Sequence, residues 1–114
     1  HGFCMYVKRE ALDDVGVFEE EAFGLGYGEE NDWCMRASRL GWKHVLDDAT
    51  YVYHEGGVSF GSEEARQALV ENRRRLDEIH PEYGRRIGEF FARNPLHGLH
   101  EHLERKIRER TGVA

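Results

Sequence analysis

Cysteine and proline are scarce in this chain, and long apolar runs are missing altogether. The two cysteines, Cys4 and Cys34, stand 30 positions apart with no Cys-x-x-Cys pairing, which argues against a disulfide framework. The expectation is two reduced thiols packed as small apolar groups in a cytoplasmic protein. No stretch approaches the ~20 apolar residues of a membrane span, and none has the layout of a signal peptide. The chain opens His1-Gly2-Phe3 without a methionine and runs straight into apolar residues, which reads as an excised segment of something longer. What is present describes one small globular domain: 114 residues, 39% hydrophobic and 33% charged.

The net charge of −6 is unevenly placed. Residues 1–64 carry 14 acids against 5 Lys/Arg, a balance of −9, while residues 65–114 carry 8 acids against 11, a balance of +3. An acidic front half repels bare phosphates, so it opposes nucleic acid as a partner, and an anionic ligand there needs a bridging cation. The basic tail suits peripheral contact with the inner face of a membrane, or is simply a solvated helical face.

Phe3 to Val7 is apolar and β-prone and predicts a buried strand. Arg9 to Val15 predicts a short helix stopped by Gly16. Val17 to Gly28 reads as a loop, and Glu29 to Leu40 as a helix with three acids in its first turn and Trp33, Ala37 and Leu40 on one stripe. Trp42 to Leu46 and Thr50 to Tyr53 predict strands around an Asp47-Asp48 turn. Beyond Ser62, a plausible N-cap, the pattern is helical: Ala65, Leu69, Leu76 and Ile79 mark one helix. Tyr83, Ile87, Phe90 and Phe91 mark a second after Pro81, and Leu96, Leu99, Leu103 and Ile107 a third after Asn94-Pro95. Glu101–Arg105 and Glu104–Arg108 pairs would support the last.

Three pieces carry chemistry. A glycine-rich loop delivers Glu29-Glu30-Asn31-Asp32-Trp33 to a helix start. His54 ends the second strand and is followed by Gly56-Gly57 and Ser59. The opening segment reads Gly2-Phe3-Cys4, Arg9-Glu10-Ala11-Leu12, then Val15-Gly16-Val17-Phe18. Taken singly, each has an ordinary structural explanation: acids complement a helix dipole, a histidine hydrogen-bonds at a strand end, glycines turn the chain.

As an ordered set over residues 2–61, these pieces resemble the second half of family 2 glycosyltransferases. Those enzymes show a strand beginning Gly-x-Cys, an Arg-Glu-Ala-Leu helix, Val-Gly-x-Phe, an acidic pair opening an Asp-x-Cys-x-Arg helix, and later a His, a Gly-Gly and a Ser. The resemblance implies an α/β fold: residues 1–61 as the C-terminal half of a GT-A domain, a small sheet with flanking helices, and 62–114 as a helical extension packing on it. It also implies roles. Glu30 inherits the general-base position, where the family has Asp, one methylene shorter. Glu29, Asp32, Trp33 and Ser59 fall on the substrate side, with Asp32 alternatively pairing Arg36 one turn on. His54 aligns with a ligand to a divalent Mg or Mn ion. The implied partners are a nucleotide-sugar donor and a carbohydrate or lipid-linked acceptor. The family's Asp-x-Asp metal motif and nucleotide-binding half do not occur in these residues, so inactivity in isolation is expected, together with a homodimer covering the open sheet edges or, as the rival, a monomer in which residues 62–114 fold back over that face. A non-catalytic helical module, binding a protein partner or a membrane surface, is the alternative. Metal binding through His97, His100 and His102 ranks below both, because position 102 lies off the face shared by the other two.

Overall fold

A computed structural model describes residues 4–24, 26–55 and 63–112. Among them are six helices: α1 (Arg9–Val15), α2 (Glu20–Phe23), α3 (Glu29–Arg39), α4 (Glu63–Ile79), α5 (Tyr83–Arg93) and α6 (His97–Thr111). The described residues contain no strand and no sheet, which overturns the expected α/β, partial GT-A architecture. The β-like pattern of residues 4–8 is real, since Met5 and Val7 are half-buried while Cys4, Tyr6 and Lys8 are exposed. A strand, however, is defined by ladder hydrogen bonds to a neighbour, and none of the described residues provides one. The predicted strands at 42–46 and 50–53 fail for the same reason, and their apolar side chains lie open, Val45 at 90% and Tyr51 at 87% exposure. The turn between them does form, with the Ala49 N–H donating to Asp47 Oδ1 at 2.9 Å.

The chain divides into two compact units, His1–Tyr83 and Gly84–Ala114. The first is built on α1 crossing α3. α1 starts after an extended Lys8 and stops at Gly16, whose φ of 87° is strained for any residue with a Cβ. Its Ala11 packs with Trp33 and Ala37 of α3, and Met5, Leu12, Phe18 and Trp42 close around them. Polar contacts then lock the two helices. The Trp33 indole N–H donates to Gly16 O at 2.7 Å, and Arg36 donates to Val15 O at 2.7 Å and Val17 O at 2.8 Å. A guanidinium on the last carbonyls of a helix satisfies acceptors that the helix itself cannot. Leu40 does not join the expected stripe; it caps α3 at 57% exposure.

The stretch expected as a loop contains α2, a single turn that drives Phe23 inward to 1% exposure. α4 covers this turn and the start of α3, and it belongs to the first unit. Of its predicted stripe only Leu76 is buried, while Leu69 and Ile79 stay exposed. Burying Phe23 and Leu76 stabilises the fold by ~1.5–3 kcal/mol each. The expected N-cap Ser62 lies outside the described residues.

The second unit holds α5 beyond Tyr83 and α6. Asn94, at φ 42°, and Pro95 break the chain between them, and Gly112 ends α6 in the left-handed region. The expected Glu104–Arg108 pair forms at 3.8 Å, whereas Arg105 pairs forward with Glu109 at 3.5 Å and Glu101 faces His97. No helix among the described residues is long and apolar enough to cross a membrane.

Candidate functional site

The acids of interest stand at the first turn of α3, where the free backbone N–H groups of a helix collect. The approach is made by Gly26, Tyr27 and Gly28, all at positive φ (105°, 71° and 157°). At Gly28 an added Cβ would lie 2.7 Å from the Phe23 ring, so only glycine lets the backbone run this close to α2. The turn is closed by its own acids. The Gly28 N–H donates to Glu29 Oε2 at 3.0 Å and to Glu30 Oε2 at 3.2 Å, and Asn31 Nδ2 donates to Glu30 Oε1 at 3.2 Å. Both glutamates remain half-exposed.

Asp32 is different in kind. It is 3% exposed, and both of its oxygens are engaged. Arg36 Nε donates to Oδ2 at 2.8 Å, and the His80 imidazole, with no exposed surface, meets Oδ1 through Nε2 at 2.8 Å. A carboxylate only accepts, so Nε2 carries the ring hydrogen. The other ring nitrogen, Nδ1, is buried without a partner. This arrangement ties the C-terminal end of α4 to the first turn of α3.

Of the residues assigned above to the substrate side, Asp32 and Trp33 are therefore turned inward. Trp33 is 4% exposed, with its ring tilted against Phe18 at a centroid distance of 6.0 Å and its N–H on Gly16 O. The structure leaves Glu29 and Glu30 together at the surface. Ser59 and the Gly56-Gly57 pair lie outside the described residues. His54 is exposed in the extended segment after Trp42. Among the described residues no three His, Cys, Asp or Glu side chains converge on one point.

Three side chains that hold this region escaped the sequence reading: Asn72, Arg75 and His80, all from α4 or its end. Asn72, 7% exposed, donates through Nδ2 to Phe23 O at 2.7 Å and to Gly26 O at 2.5 Å, and Arg75 donates to Ala22 O. A signal was available. Ala65, Leu69, Leu76 and Ile79 follow helical spacing with a gap at 72, and a polar residue filling a gap in an apolar stripe points inward. His80 continues that face at i+4 from Leu76.

Comparison with known proteins adds no relative: no family model matches the chain, and neither a curated protein nor a solved structure does.

Proposed function

We propose that the first turn of α3 is the acceptor side of an inverting glycosyl transfer, with Glu30 as general base and Glu29 positioning the acceptor. The observation that carries this reading is the division among the acids. Asp32 is buried with both oxygens held, while Glu30 is half-exposed and oriented by Gly28 and Asn31. Each oxygen of Glu30 accepts one hydrogen bond from the protein, and a carboxylate oxygen has a second lone pair available. An acceptor hydroxyl would hand its proton to Glu30 as its oxygen forms a bond to the anomeric carbon. The bond from that carbon to the nucleotide diphosphate breaks at the same time, and the diphosphate leaves with the electron pair. A single displacement inverts the centre. The proposal rests on the ordered motif and on these acids, not on a sheet, and the donor is assigned to a nucleotide-binding half outside these residues.

The test is transfer from nucleotide-diphosphate sugars by the full-length gene product. Glu30→Gln should lower turnover by roughly 10²–10⁴-fold with donor binding intact. Near-normal turnover in that variant overturns the assignment.

A second reading, a non-catalytic helical module, is favoured by apolar side chains left open on α5 and α6, Phe91 at 72% and Ile107 at 59% exposure, within a basic stretch. Sedimentation of the chain with anionic vesicles but not with neutral ones supports that module. The open side chains at 45–53 support self-association under the first reading, which light scattering detects.

A further inference from the structure

The loop that leads into the acidic pair is held within itself by the Gly26 N–H donating to Phe23 O at 3.3 Å and by the Gly28 N–H on the two carboxylates. Gly26 and Gly28 have wide conformational freedom, and the turn α2 is only four residues long. The loop's remaining restraints come from 46 or more positions later in the chain, on α4. One side-chain nitrogen, Asn72 Nδ2, places its two hydrogens on two loop carbonyls, Phe23 O and Gly26 O. An amide NH₂ has two hydrogens to give, so the match between donor and acceptors is complete. Arg75, one turn along the same face, holds Ala22 O.

We infer that Asn72 is a positioning residue for the acidic pair, acting from α4 through the Gly26–Gly28 backbone; its catalytic meaning rests on the glycosyl-transfer reading above. The path is continuous. Fixing Gly26 O sets the backbone from Gly26 to Gly28, which already lies against the Phe23 ring and 3.6 Å, at its would-be Cβ, from Asn72 Cβ. The Gly28 N–H is in turn shared by the Glu29 and Glu30 carboxylates. At Gly26, an added Cβ would come within 3.5 Å of the Glu29 carboxylate, so this glycine also lies beside the pair. An apolar residue at position 72 would suit the stripe better and the helix no worse. It would, however, take the side-chain donor from Gly26 O and leave Phe23 O with the Gly26 N–H at 3.3 Å, and these are the acceptors the loop conformation depends on.

The test needs no substrate. Isotope-labelled chain is followed by nuclear magnetic resonance well below its melting temperature, reading Gly28 amide exchange and the Glu29 and Glu30 side-chain carboxyl resonances. Asn72→Asp keeps the shape but turns an oxygen toward both carbonyls. Gly28 exchange should accelerate by about tenfold or more, and both carboxyl resonances should shift, while the Trp33 indole N–H keeps its position and protection. A residue that merely adds stability would lower the melting temperature and leave those signals in place, and that result overturns the proposal. Should Asn72→Asp not fold, Arg75→Met removes the neighbouring donor and is expected to produce the same pattern, weaker. The unmutated chain decides independently: both Asn72 Nδ2 hydrogens must exchange slowly with water, and fast exchange of either overturns the proposal. If the resonances move while Glu30→Gln retains full turnover, the positioning link stands and the glycosyl-transfer reading fails.

Discussion

Replacing Asp32 by alanine tests the joint between α3 and α4 most directly. The carboxylate is 3% exposed and bonded at 2.8 Å to both Arg36 and His80. Losing it strands the His80 Nε2–H at a site with no exposed surface, and a buried donor without a partner costs about 1–3 kcal/mol. Arg36 fares better, because its side chain is 27% exposed and keeps Val15 O and Val17 O. Its lost pairing should therefore add only about 1 kcal/mol. The sum, about 2–4 kcal/mol, is a large share of the stability of a small domain. At roughly 4–8 °C per kcal/mol for a domain of this size, the melting temperature should fall by about 10–30 °C. Asp32→Asn should be milder. The Asn amide can donate to His80 Nε2 if the ring hydrogen moves to Nδ1, and the price is an unpartnered N–H there instead of a bare lone pair. Thermal and urea unfolding by circular dichroism measure both variants, and the Asp32→Ala, His80→Ala double-mutant cycle isolates the coupling, expected at about 1–2 kcal/mol. A change within about 0.5 kcal/mol for Asp32→Ala, the scale of a surface substitution, refutes the reasoning.

Gly28→Ala should destabilise the first unit by about 1–3 kcal/mol, because the new methyl meets the Phe23 ring at 2.7 Å; urea unfolding with an unchanged midpoint would contradict the tight approach. The thiols should separate cleanly: Cys4 is exposed and alkylates first, whereas burial pushes the Cys34 thiol above its ordinary range and slows its labelling until the chain unfolds. The same raised value makes Cys34 contribute stability below the ordinary thiol range that is lost as pH rises through and beyond it, so unfolding midpoints should fall on the alkaline side, and less so in Cys34→Ala.

Local signals were sufficient wherever the determining contacts lie within a turn or two. Arg9–Val15 starts and stops at the expected residues because an extended Lys8 and Gly16 bound it. The Asp32–Arg36 pair follows from i,i+4 spacing alone, and the Asp47 turn from an Asx side chain two residues from its N–H. The acidic first turn of α3 was equally readable, since Gly28 and the helix dipole are written in consecutive residues. Where partners are distant, the sequence was silent or misleading. The alternation at 4–8 and the β-prone residues at 42–53 specify extended backbone, but pairing is a property of two segments, and only the fold shows that no described segment pairs with them. That Asp32 is withdrawn from the surface while Glu30 is left there was decided by His80, 48 positions away, and that Asn72 holds the glycine loop was decided by α4 lying across α2. Residue type and spacing determined which groups stand at the start of α3; tertiary packing alone decided which of them face solvent, because burial and long-range hydrogen bonds depend on what the rest of the chain brings alongside.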